Sequence, residues 1–144
     1  MDIQLALRLP RDAASVPVIR RLMDAALAVL GADTHSRTDI QLMLTEACTN
    51  VIKHARESDE YTVQVDIVDE RCVIKVLDTG GGFDPGRTDG TPPAPTSENG
   101  RGLLIMKALA DDVRFTVQQD HGAIVRLEKC LRFAEDTPGH LLAG

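Results

Sequence analysis

Ile3, Leu5, Leu7 and Leu9 alternate with other residues ahead of Pro10, a period of two that predicts an opening strand with one buried face. The steps then lengthen to three and four. Val16, Ile19, Leu22, Met23, Ala26, Leu27 and Leu30 make one apolar stripe, predicting an amphipathic helix over 13–30 that Gly31 stops. A second helix over 36–55 carries Ile40, Met43, Leu44, Ala47 and Val51 as its stripe. Alternation returns at Tyr61, Val63, Val65 and Ile67 and again over 72–77, with Asp69-Glu70 turning between the two strands. Residues 80–99 have no period. Residues 100–109 read as a helix, and Val113, Phe115 and Val117 with Ile124, Val125 and Leu127 read as a closing hairpin around His121-Gly122. The domain is expected to end near Arg132, with 133–144 a polar, mobile tail. The order of elements predicts an α+β two-layer sandwich, with helices packed on one face of a mixed, mostly antiparallel sheet.

Composition narrows this picture. A chain of 144 residues corresponds to one domain, here 1–132 with its tail. Aromatic residues are 3% of the chain, so the core is expected to be aliphatic and a base-stacking nucleic-acid binder is disfavoured. A net charge of −6 without a basic run would repel nucleic acid or an anionic membrane, leaving room only for a local basic pocket. No apolar run approaches the ~18–20 residues of a membrane span, and the alternating N-terminus does not resemble a signal peptide. Cys48, Cys72 and Cys130 contain no CxxC pair, and His35, His54, His121 and His140 lack metal-ligand spacing. Reduced, mostly buried thiols and a cytoplasmic location are expected. The 11 Gly and 7 Pro are unevenly spread: 11 of them lie between Gly80 and Gly102. An aperiodic stretch of this length in a small domain is usually functional.

Three motifs carry candidate chemistry. On the second helix, at ~100° per residue, Glu46, Asn50 and Lys53 fall within about 60° of one another and flank the apolar stripe. The Asn50 amide oxygen is a hard donor suited to Mg²⁺, Glu46 is a candidate general base, and Lys53 can pair with a phosphate. A solvated polar flank is the other reading of these positions. Asp78 ends a strand ahead of Thr79-Gly80-Gly81-Gly82, where it can accept a hydrogen bond from an exocyclic amine or simply cap a turn. Glu98-Asn99-Gly100-Arg101-Gly102-Leu103 stands where the long loop becomes a helix. Free amides there, with Arg101, make an anion site, or the glycines serve only as a flexible helix entry.

Together, in this order and on these elements, the motifs resemble those of the GHKL ATPase superfamily, the ATP-binding (Bergerat-type) fold of DNA gyrase, MutL and sensor histidine kinases. The resemblance covers nearly the whole chain, and at this length is greatest to the stand-alone bacterial anti-sigma-factor serine/threonine kinases. It implies that Asn50 coordinates Mg²⁺ on the ATP phosphates and that Glu46 is the general base. It further implies that Asp78 recognises the adenine amino group within a box holding Gly80 and Gly82, while Gly100, Arg101 and Gly102 form the phosphate-side box. Residues 84–99 correspond to the ATP lid, with the Pro92-Pro93-Ala94-Pro95 run expected to be stiff. The implied partners are a sigma factor and an anti-anti-sigma protein of the STAS type, with a homodimer possible.

Two positions depart from the pattern. Many members have Thr after the late Gly, where this chain has Gly122-Ala123, and some have a lid Arg where it has Glu98-Asn99, so that Arg101 or Arg87 would substitute. Three functions follow as expectations: a kinase that also sequesters a sigma factor, a non-catalytic ATP-binding module acting by protein contact, and the detached ATP-binding half of a histidine kinase.

Overall fold

A computed structural model of the chain describes residues 1–54, 59–78, 97–118 and 122–143. The elements are β1 (Asp2–Pro10), α1 (Ser15–Leu30), α2 (Thr34–His54), β2 (Glu60–Val68), β3 (Arg71–Asp78), α3 (Ser97–Leu109), β4 (Asp112–Gln118), β5 (Gly122–Cys130) and α4 (Pro138–Leu142). The strands form one sheet in the order β1-β2-β3-β5-β4, and each of the four pairings is antiparallel. The α+β sandwich expected from the element order is the observed architecture, with a sheet that is antiparallel throughout the described strands.

Register explains which face is buried. Leu7, Val63 and Val76 stand opposite one another across three strands, as do Leu5, Val65, Ile74 and Leu127 across four, and burial fades at the edge strand β1, where Leu5 is exposed and Leu9 alone is buried. Helices α2 and α3 cover this face toward β3, β5 and β4. The α2 stripe is completely removed from solvent at Ile40, Met43, Leu44 and Ala47, and α1 buries Val16, Ile19, Met23, Leu27 and Leu30. Leu22 and Ala26, assigned to the α1 stripe by spacing, lie outside that buried set, and Leu22 is exposed. Among the described residues the core is aliphatic as expected, with Tyr61 the one aromatic among its fully buried side chains.

Capping explains two boundaries. The Asp33 carboxylate accepts the Ser36 N–H at 2.8 Å, so α2 starts at Thr34, two residues ahead of the expected position. That hydrogen bonding with Ser36 holds the Asp33 carboxyl below its ordinary range. At the end of α1, Gly31 adopts φ +89°, the left-handed conformation that closes many helices.

The segment after Arg132, expected as a mobile tail, has structure of its own. Phe133 bridges to Ala32, the Ala134 N–H donates to Gly31 O at 2.9 Å, and α4 follows. Thr137 occupies the space that a side chain at Gly31 would need, so the same glycine both ends α1 and seats this segment. Its apolar anchors are Leu131, Phe133 and the buried backbone of Gly139, which periodicity alone does not reveal.

A larger difference concerns α3. The helix begins at Ser97, three residues before Gly100, so residues 97–99 of the expected lid and Gly100 itself lie within it. Glycine costs a helix only about 1 kcal/mol against alanine, and packing of α3 on α2 outweighs that preference. Residues 84–96 of the lid, Gly80, Gly82, Arg87 and His121 lie outside the described residues. Among the described residues no helix is long and apolar enough to cross a membrane. Cys48 and Cys72 are buried and Cys130 is exposed, all three as free thiols. Burial pushes the Cys48 and Cys72 thiols up to about 12.

Candidate active site

The polar flank of α2 faces a cleft against α3. Glu46, Thr49, Asn50 and Lys53 line it from α2, and Gly102, Leu103 and Met106 from α3. Four residues singled out in the sequence, Glu46, Asn50, Lys53 and Gly102, are thereby brought to one place. Thr49, Leu103 and Met106 join them without having been singled out for chemistry: Thr49 and Leu103 lie inside motifs whose other residues drew attention, and Met106 lies one turn further along α3.

Gly102 is buried, and its lack of a side chain has a specific use. A Cβ at that position would stand 2.8 Å from Glu46 Oε2 and 3.8 Å from Glu46 Cβ. The glycine therefore lets α3 approach α2 while the Glu46 carboxylate occupies the intervening space. This role differs from the one expected, since Gly102 sits in the second turn of α3 rather than at a free helix start. Arg101, the next residue back, is exposed and is not among the residues lining the cleft.

Several contacts hold α2 in place. Arg11 Nε donates to Ile52 O at 2.9 Å, tying the C-terminal end of α2 to the segment after β1. One turn earlier, buried Cys48 hydrogen-bonds Tyr61, whose hydroxyl is 2.6 Å from Ser15 Oγ. Burial pushes the Tyr61 hydroxyl up to about 12, so it serves as a neutral strut between α1, α2 and β2. Asp78 lies directly opposite Tyr61 in the sheet, at the last residue of β3, and is 1% exposed. Its carboxyl is thus set beneath the helical layer, and not in the α2–α3 cleft.

The cleft is small, enclosing only about 20 Å³. About 10–15 Å³ accommodates one water, and pockets that enclose a whole small molecule run to roughly 300–1,000 Å³, so this one has room for an ion or a water beside the end of a larger ligand. Its polar side-chain groups comprise one carboxylate, one hydroxyl, one amide and one ammonium. Among the described residues no group of three or more His, Cys, Asp and Glu gathers to cage a metal. A hard cation held at Asn50 and Glu46 would need waters and ligand oxygens to complete its shell, which is the usual habit of Mg²⁺. A second depression, at the β2–β3 turn, is lined by Arg71, Arg126 and Cys130 among others. Both arginines there already contact Glu128, at 2.9 and 3.3 Å.

Residues 9–129 match the family model described as histidine kinase-like ATPase domain. The chain belongs to this family. Among curated relatives, this histidine kinase-like ATPase domain is 31% identical over 138 residues to the serine-protein kinase RsbW of Bacillus licheniformis, covering 88% of this chain and 85% of that one. It is 29% identical over 139 residues to the serine-protein kinase RsbW of Bacillus cereus (strain ATCC 10987 / NRS 248), covering 90% and 86%. In fold it is similar to the RsbU and RsbW domains of Rv1364c from Mycobacterium tuberculosis, with a TM-score of 0.67 at 20% identity over 92% of this chain. The match spans 34% of that longer structure. The histidine kinase domain of the blue-light activated kinase EL346 from Erythrobacter litoralis is also similar, with a TM-score of 0.53 at 20% identity over 85% of this chain and 62% of that one.

Proposed function

We propose that this histidine kinase-like ATPase domain is an ATP-dependent serine/threonine protein kinase and anti-sigma factor, with a STAS-type anti-anti-sigma protein as substrate and a sigma factor as its other partner. The observation that carries the reading is the meeting of Glu46, Asn50 and Lys53 with Gly102 in the α2–α3 cleft. It is supported by 28–31% identity to serine-protein kinases over most of their length.

In this reading Asn50 and Lys53 hold the phosphate end of ATP, and Asp78 accepts the adenine amino group at the far end of the site. Mg²⁺ would be held through the Asn50 amide oxygen and would neutralise charge on the phosphates. Glu46 takes the proton from the attacking serine or threonine hydroxyl as that oxygen bonds to the γ-phosphorus and ADP leaves. Positioning and charge neutralisation supply most of the acceleration in phosphoryl transfer, so two helices held in fixed register suit the task. Gly80, Gly82, Gly100 and Arg101 complete the proposed nucleotide contacts, with residues 84–99 as the lid. A cytoplasmic location and a homodimer complete the proposal.

Calorimetric titration with Mg-ATP and Mg-ADP, followed by transfer of labelled phosphate to STAS proteins, tests this reading. Saturable binding of both nucleotides and acid-stable label on a partner Ser or Thr are expected. Tight ATP binding with no label on any such partner would select the non-catalytic module, which Glu98-Asn99 and Gly122-Ala123 favour by their departure from the family pattern. Acid-labile label on a His would point to histidine-kinase chemistry instead.

Gly102→Ala provides a separate check on the geometry. The added methyl meets the free end of a flexible side chain, so Glu46 can swing aside at little cost. Alanine also contributes up to about 1 kcal/mol of helix propensity. The variant is expected to melt within ~5 °C of the parent, or above it, yet to lose at least ~10-fold in transfer because its base is displaced. Unchanged transfer with alanine at 102 would show that the Glu46 position does not matter.

A further inference from the structure

On the face of α2 that carries Glu46, two turns toward the N-terminus, stands Asp39, a carboxylate only 6% exposed. Its Oδ2 is 3.2 Å from Lys129 Nζ and 3.4 Å from His35 Nε2. Lys129 projects from β5 on the helix-covered face of the sheet, opposite Cys72. The same ammonium donates to Leu109 O at 2.6 Å, the carbonyl of the last residue of α3. One half-buried cation thus joins α2, β5 and the C-terminal end of α3, where a positive charge also suits the helix dipole.

Two further bonds secure that end. The Asp111 N–H donates to Glu128 O at 2.8 Å, and the Cys130 N–H donates to the Asp111 carboxylate at 2.6 Å. The far end of α3 meets α2 where Gly102 faces Glu46. Asp39 to Glu46 and Gly102 to Leu109 are each seven residues, about 10.5 Å of helix. The two helices therefore run antiparallel, in direct contact where Gly102 faces Glu46 and bridged through Lys129 seven residues away, with buried Met106 of α3 within the span. Because α3 is rigid along this length, its height at Gly102 follows from where Leu109 is held.

A stability role alone explains this arrangement poorly. A buried ion pair gains little over apolar residues of similar volume, and its replacement by them is often neutral. What the pair supplies is direction: Lys129 has two partners on two helices, and both must be in place for its charge to be satisfied.

We propose that Lys129 is a positioning residue, held by Asp39, which pins the C-terminal end of α3 and so sets the register in which Gly102 meets Glu46. In its consequence for phosphoryl transfer the proposal rests on the ATP-site reading above. In its mechanical part it does not.

The test uses the full chain and an Asp39→Leu/Lys129→Met double variant, which removes both charges together and leaves no uncompensated buried ion. Hydrogen exchange is followed without nucleotide, and ATP kinetics separately. The double variant is expected to melt within ~5 °C of the parent. Amides of α3 should exchange ~10-fold faster or more, while those of α1 and β2 keep their protection. Transfer should fall at least ~10-fold in kcat with KM for ATP moved less than ~3-fold, because a misplaced base costs rate more than binding. Lys129→Arg, which keeps the charge and both donors, should retain α3 protection. Unchanged α3 exchange in the double variant overturns the pin, as does a uniform loss of protection across all elements. Faster α3 exchange in a chain whose parent never transfers phosphate keeps the pin and removes the kinase reading.

Discussion

Glu46→Gln is expected to bind Mg-ATP with a Kd within ~3-fold of the parent and to transfer phosphate ~10²–10⁴-fold more slowly, the range that a positioned general base supplies. Glutamine has nearly the same shape, is as good a helix former as glutamate, and can fill the space beside Gly102 that the carboxylate occupies. Fold and cleft are therefore preserved. What disappears is the ability to accept a proton from the attacking hydroxyl. Removal of one negative charge beside the phosphates would, if anything, tighten nucleotide binding, which separates this variant from one that damages the pocket. The measurement is a single-turnover transfer assay beside a calorimetric titration on the same preparation. Transfer at the parental rate would assign the base elsewhere, and loss of binding and transfer together would mean that Glu46 holds the nucleotide rather than the proton.

The Glu46–Asn50–Lys53 flank was legible because a helix repeats its faces locally: the spacing within α2 suffices to put three side chains on one side. The strands were legible for the same reason, with Tyr61, Val63, Val65 and Ile67 all buried as their alternation predicts. What sequence could not supply was which elements meet. Gly102 read as a flexible phosphate-loop residue, and its use as a gap for Glu46 emerges only once α3 packs on α2. Nothing local marks Asp39 and Lys129, because the place of Lys129 on the covered face beneath two helices depends on how the elements pack. Phe133 and Gly139 were likewise unreadable, because their burial depends on the α1–α2 turn about a hundred residues earlier. The start of α3 was misplaced because Gly100 suggests a break that long-range packing overrides.

Asn50→Ala is expected to remove Mg-dependent nucleotide binding while leaving the fold intact. Alanine is the strongest helix former and asparagine a poor one, so the substitution should favour α2 by up to about 0.7 kcal/mol. Asn50 is half-buried on the flank of the stripe, clear of the fully buried core positions Ala47 and Val51, so little packing is lost. The only donor removed from the cleft is a neutral amide oxygen. That is the ligand type for a cation which keeps its waters and takes its remaining bonds from phosphate. In the parent, ATP affinity should rise steeply with Mg²⁺. In the variant it should be at least ~100-fold weaker in saturating Mg²⁺, about 2.7 kcal/mol, and nearly independent of the ion. Titrations at several Mg²⁺ concentrations, with the melting temperature as a control, make the comparison. If ATP affinity in the variant still climbs with Mg²⁺ as in the parent, the ion is not held at Asn50. If both proteins bind ATP as tightly without Mg²⁺ as with it, the α2–α3 cleft is not the phosphate end of the site.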